Sequence, residues 1–74
     1  MQVNVRLFAT LRINREKEIQ MDLTEGVTVR DIIERLDISE QEATIIFING
    51  RGAKLDHRLS DNDRLSIFPP VGGG

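Results

Sequence analysis

The group in this chain with the plainest chemistry is the α-carboxylate of Gly74, carried on Phe68-Pro69-Pro70-Val71-Gly72-Gly73-Gly74. A carboxylate in water is a poor electrophile until ATP converts it to an acyl-adenylate. An amine can then attack to give an isopeptide, or a sulfur donor to give a thiocarboxylate. Glycine has no side chain to bury and loses the most backbone freedom when ordered, so three glycines at this position add little to a core. They suit backbone that must thread a narrow channel in another protein's active site and leave its last carbonyl open to attack. Pro69 and Pro70 fix φ near about −65° and favour a stiff, extended exit from the preceding segment. The four residues beyond Pro70 reach about 13 Å when extended, enough to enter a deep pocket, and Val71 is the one side chain there able to grip a groove. The expected organisation is a domain over residues 1–70 with a flexible glycine-rich tail over 71–74. The bland alternative is a frayed end with no role.

Other chemistries find no support. The chain has no cysteine and a single histidine, His57, so a thiolate site is excluded and a metal site is not expected. Ser60 and Asp61 near His57 do not make a nucleophilic triad. Nothing resembles a phosphate-binding loop, so any ATP must be bound by a partner and no cofactor is expected here. The 10 basic and 12 acidic residues are well mixed, with neither the basic stripe nor the stacking aromatics of a nucleic-acid footprint. The acids Asp31, Glu34, Asp37, Glu40 and Glu42 read first as a solvated helix face. Pro69-Pro70 lacks the flanking prolines and basic residue of a proline-motif ligand. No apolar run approaches the roughly 20 residues that a membrane helix needs, and no signal-peptide pattern opens the chain. The expectation is a soluble, cytoplasmic protein.

At 74 residues the chain makes one domain, and its 39% apolar content argues against disorder. Val3, Val5 and Leu7 alternate with Gln2, Asn4 and Arg6, the pattern of a half-buried strand. Thr10 to Glu16 reads as a polar hairpin connection. Lys17 to Leu23 alternates again, with Ile19, Met21 and Leu23 inward. Thr28 and Asp31 then form a weak capping box, with Val27 and Ile32 as a hydrophobic staple. Val29, Ile32, Ile33 and Leu36 make one apolar helical stripe, and Ser39 to Glu42 could start a short extra turn. Thr44 to Ile48 is a β-branched strand closed by Asn49-Gly50, a strong turn signal. Arg51 to Leu59 is loop with a short strand near Lys54, Ser60 to Asp63 is a turn, and Arg64 to Phe68 is the last strand, with Leu65 and Ile67 inward. Right-handed crossovers place this last strand beside and parallel to the first. The fold class is α+β: a β-grasp, ubiquitin-like roll with a mixed four- to five-stranded sheet and one main helix on one face.

Two phenylalanines break the pattern. Phe8 and Phe68 fall on the polar parity of their strands, so both rings belong on the helix-free side. Phe47 joins them if its parity, ambiguous in a run apolar on both faces, points outward. Such an apolar patch marks a partner surface; the alternative is that the rings tuck under loops and only stabilise the fold.

With these residues in view, the chain resembles the MoaD/ThiS family of sulfur carriers, closest to the molybdopterin synthase small subunit. The likeness rests on Leu59 to Phe68, on the Pro69-Pro70-Val71-Gly72-Gly73-Gly74 ending, on Phe8 and on Ile48-Asn49-Gly50, and it spans essentially the whole sequence. It departs from the family at Gly72, often another small residue, and at Asn62, often glycine. The resemblance implies that an E1-like enzyme of the MoeB/ThiF type adenylates Gly74 using ATP and that sulfur is installed there as a thiocarboxylate. It implies that the terminus enters a MoaE-type large subunit, donating sulfur to a pterin precursor in molybdenum cofactor biosynthesis. The chain would then be a non-catalytic subunit. Gly73 and Gly74 would be its reactive ending, and Phe8, Phe68, Pro69, Pro70, Val71, Gly72 and Gly73 its partner-binding residues. Thiamine or another sulfur pathway, and ubiquitin-like protein modification, remain open alternatives.

Overall fold

The computed structural model describes residues 1–70; Val71, Gly72, Gly73 and Gly74 lie outside the described residues. Its strands are β1 (Gln2–Leu7), β2 (Glu18–Asp22), β3 (Ile45–Ile48), β4 (Arg51–Gly52) and β5 (Arg64–Phe68), with one α-helix, α1 (Val29–Arg35). They form one sheet in the order β2-β1-β5-β3-β4. β1 and β5 run parallel at its centre, and every other pairing is antiparallel. This is the expected β-grasp roll.

The period-2 pattern decides which face is covered. Val3, Val5 and Leu7 of β1, Ile46 and Ile48 of β3, and Leu65 and Ile67 of β5 are all buried, as are Val29, Ile32 and Ile33 of α1. One helical stripe therefore closes one face of the sheet. Ile19 and Met21 are only half-buried, because β2 is an edge strand with a neighbour on one side. The short strand expected near Lys54 lies slightly earlier, at Arg51–Gly52. There Asn49 (φ 53°) and Gly50 (φ 83°) make a two-residue turn with both central residues left-handed, the geometry that lets a tight hairpin follow strand twist.

The capping box is complete. The Asp31 N–H donates to Thr28 Oγ1 at 3.3 Å, and the Thr28 N–H donates back to the Asp31 carboxylate at 2.9 Å. The Thr28 N–H, joined by the Thr28 hydroxyl at 3.1 Å, holds the Asp31 carboxyl below its ordinary pKa. The remaining amides of the first helical turn are also used, since Val29 and Arg30 donate to the carbonyls of His57 and Leu55. The Arg51–Leu59 loop is thereby tied to the helix start. At the other end, Asp37 is left-handed (φ 57°). Asp37 N–H donates to the Glu34 carbonyl, and Ile38 N–H to that of Ile33. This pair of bonds satisfies the last carbonyls of the helix. The expected turn at Ser39 to Glu42 is present, with Glu42 N–H on Ser39 Oγ and Ser39 N–H on the Glu42 carboxylate.

Residues Thr10 to Glu16 connect antiparallel β1 and β2 as expected, but the connection is not simply a polar loop. A short 3-10 turn spans Ala9–Arg12 and drives Leu11 fully into the core. Leu7 lies four residues before Leu11 and Ile13 two after, but Ile13 is exposed, so no single period across this stretch points Leu11 inward. Arg15 then fastens this segment to the helix end: its guanidinium donates to the carbonyls of Leu36 (3.1 Å), Leu11 (3.4 Å) and Asp37 (2.8 Å). Truncating a fully buried leucine costs about 2–5 kcal/mol, a large share of what so small a domain has. Leu11→Ala is expected to lower the free energy of unfolding by about 3 kcal/mol in a urea titration. A loss below about 1 kcal/mol would show that Leu11 is not a core residue.

Candidate partner-docking site

All three phenylalanines of the chain meet on the helix-free side of the sheet. The register explains why. Leu7 pairs with Ile67, Ile45 with Phe68 and Phe47 with Ser66, and inner and outer residues alternate, so Phe8 just past β1, Phe47 within β3 and Phe68 at the end of β5 share one face. Phe8 and Phe68 stack with centroids 4.2 Å apart at 11°. Phe47 meets Phe68 edge-on at 5.9 Å and 90°. Phe47 is 36% exposed, and Gly52, its partner across β3 and β4, offers no side chain to cover it. The rings are not tucked under loops; they form a half-exposed platform.

Arg12 completes the platform and was not singled out from the sequence. The 3-10 turn brings its guanidinium over the Phe8 ring at 5.3 Å, while its Nε donates to the Leu7 carbonyl at 2.7 Å. Alternation puts Arg6 and Arg64 on the same face as Phe8 and Phe68. Among the described residues none of these three arginines is in an ion pair. The platform is thus aromatic with a cationic border.

Its position relative to the tail matters most. Phe68 is the last residue of β5, so the chain leaves the sheet directly from the platform through Pro69, half-buried, and Pro70, exposed. Val71, Gly72, Gly73 and Gly74 fall outside the described residues. At the opposite end of β5 the strand is fixed by Asp63, the one buried charged residue among those described. Its carboxylate accepts from the Asn49 amide and the Ser60 N–H, both at 2.8 Å. Asn49 Oδ1 in turn accepts from the Arg64 N–H at 2.9 Å. Asn49 is therefore both a turn residue and the lock on the start of β5. Asn62 is left-handed (φ 69°), as its tolerance of that geometry allows.

Ala9 carries backbone strain at the edge of the platform. Its φ is 52°, a conformation that costs an L-residue about 1–2 kcal/mol. The reversal there aims Phe8 and Arg12 at one another. Ala9→Gly is expected to raise stability by about 0.5–1 kcal/mol in thermal unfolding. A destabilised variant would show that Ala9 is not strained.

No group of three or more His, Cys, Asp or Glu side chains converges as a metal site among the described residues. His57 contributes its backbone carbonyl to the helix start. Among the described residues no helix is long and apolar enough to cross a membrane.

The fold is a ubiquitin-like β-grasp whose last strand ends at a stacked pair of phenylalanine rings on the helix-free face. The family model for the ThiS family matches residues 5–74, and the chain belongs to that family of small, non-catalytic, ubiquitin-fold sulfur carriers. A Pyrococcus furiosus protein assigned as molybdopterin converting factor subunit 1 is 31% identical with a TM-score of 0.73, the match covering 96% of this chain and 99% of that one. Subunit 1 or 2 in the complex of the Helicobacter pylori molybdopterin-converting factor matches at 26% identity and a TM-score of 0.65, over 100% of both chains. The small archaeal modifier protein 1 of H. volcanii matches at 23% identity and a TM-score of 0.78, over 95% of this chain and 98% of that one; this likeness concerns the fold alone.

Proposed function

We propose that this chain carries sulfur on Gly74 and donates it in molybdopterin biosynthesis as the small subunit of molybdopterin synthase. An E1-like enzyme joins the Gly74 carboxylate to the AMP moiety of ATP and releases pyrophosphate. A sulfur donor then displaces AMP and leaves a thiocarboxylate. The large subunit takes up that terminus and passes its sulfur to a pterin precursor. This chain supplies the acyl group, the reach and the docking face; the groups that move protons and bind phosphate belong to the partners. A thiocarboxylate is anionic and needs a counter-charge once desolvated, so the receiving pocket is expected to place lysine or arginine against it.

The observation that carries this reading is the stacked Phe8–Phe68 pair at the strand end from which Pro69-Pro70-Val71-Gly72-Gly73-Gly74 departs. A partner gripping the platform is positioned to receive the tail. The likeness to the P. furiosus subunit 1 supports the molybdopterin branch over other sulfur pathways, and the H. pylori complex shows subunits 1 and 2 of such a factor assembled together. Intact-mass measurement after incubation with ATP, the activating enzyme and a sulfur source tests it. Exchange of oxygen for sulfur adds about 16 Da. High-mass products joined through lysine would instead place the chain among the protein modifiers.

A further inference from the structure

We propose that Asn49 is a spontaneous deamidation site, guarded while its side chain is locked to Asp63, and that its conversion to aspartate or isoaspartate releases the start of β5. This modification goes beyond the function proposed above and does not depend on it.

Of the asparagines Asn4, Asn14, Asn49 and Asn62, only Asn49 is followed by glycine. That pairing has a chemistry of its own. Gly50 has no side chain, so its amide nitrogen can approach the Asn49 side-chain carbonyl carbon unhindered. The nitrogen gives up its proton to hydroxide and attacks Cγ. The Cγ–Nδ2 bond breaks, and Nδ2 leaves as ammonia after taking a proton from water. A five-membered cyclic imide remains. Water then adds at either of its carbonyls and opens it, to aspartate or to isoaspartate. The only co-reactant is water, and both Asn49 and Gly50 are exposed to it.

The folded chain holds this reaction back. Asn49 Nδ2 donates to the Asp63 carboxylate at 2.8 Å, Asn49 Oδ1 accepts from the Arg64 N–H at 2.9 Å, and the Asn49 N–H donates to the Arg64 carbonyl. Cyclisation expels Nδ2, so it cannot proceed without giving up the bond to Asp63. Conversion therefore follows opening of the turn. Once made, the product cannot lock again. Asp63 is 8% exposed, and its carboxylate is served by the Asn49 amide and the Ser60 N–H. Deamidation puts an anionic oxygen where Nδ2 stood, so a buried carboxylate loses a donor and meets a like charge. Isoaspartate also lengthens the main chain inside a two-residue turn that sets the hairpin register. The strand set loose is β5, which carries Phe68 of the platform at its far end.

The test ages the full chain in mildly alkaline buffer, with and without urea below the unfolding midpoint, and follows it by tryptic mass mapping. The peptide from Leu36 to Arg51 is expected to gain about 1 Da at Asn49, at least about tenfold faster in urea than in buffer. In the same urea Gly50→Ala is expected to gain it far more slowly, because a methyl group then crowds the attacking nitrogen. The aged form, separated by its extra negative charge, is expected to melt about 10 °C below the parent, and Asn49→Asp likewise. In both, the Arg64 amide is expected to exchange its hydrogen about tenfold faster than in the parent. No gain at Asn49 under either condition, equal rates in urea and buffer, or a Gly50→Ala rate equal to the parent's overturns the proposal. So does an aged form that melts with the parent and protects the Arg64 amide as well.

Discussion

A chain lacking Gly73 and Gly74 is expected to fold as the parent does and to deliver no sulfur. The sixteen buried apolar residues described in the core run from Val3 to Ile67, so the deletion removes nothing from it. It does move the chain's carboxylate back by about 7 Å. Displacements near 1 Å can already cost about a hundredfold in rate when a reacting group must be aligned. A carboxylate withdrawn by several times that distance meets neither the adenylating site nor the acceptor. Side chain matters as well as length, because the shortened chain ends in Val71-Gly72, and valine near the acyl carbon obstructs a channel sized for glycine. The expected results are an unchanged thermal midpoint, no adenylate-dependent mass shift, and cofactor synthesis reduced to background in cells carrying only the shortened form. Undiminished synthesis in those cells would refute the carrier reading.

The fold could be read from the sequence wherever the signal was local. Alternation in Val3, Val5 and Leu7 and in Leu65 and Ile67 gives strand and face together. The capping box and the Val29–Leu36 stripe give the helix. The off-parity rings give the platform, because a phenylalanine on a polar parity conflicts with its strand, and the structure resolves that conflict by stacking Phe8 on Phe68. What stayed hidden depends on residues distant in sequence. Leu11 is buried by a 3-10 turn that no repeat announces, and Arg15 acts through carbonyls 21 and 22 positions away. Asn49 looks complete as a turn residue until β5 brings Asp63 against its amide. Phe47 sits in a strand apolar on both faces, so only the register with Ser66 settles its side. Arg12 lay in a stretch read as polar connection. The tail is the reverse case: it lies outside the described residues, and the chemistry proposed for it is read from the sequence alone, from glycines that carry no side chain.

Phe68→Arg is expected to keep the fold and abolish partner docking. Phe68 is the centre of the platform, stacked on Phe8 and met edge-on by Phe47. The register of β5 is held from the other face by Leu65 and Ile67, both fully buried, and at its start by the Asn49–Asp63 lock. Losing the ring's contacts therefore costs about 1 kcal/mol per aromatic pair, which the strand can withstand. An arginine there adds a cation beside Arg6, Arg12 and Arg64 and removes the apolar surface a partner would bury. Central aromatic anchors are worth about 2–4 kcal/mol to an interface, so affinity for the adenylating enzyme and the large subunit should fall by at least about thirtyfold. Phe68→Leu separates the contributions: it keeps apolar area without the stack and should weaken binding less. Circular dichroism decides between this and a purely structural role. A Phe68→Arg protein that is unfolded, or one that is folded and binds normally, would mean that the three rings serve the domain alone and that partners take hold of it elsewhere.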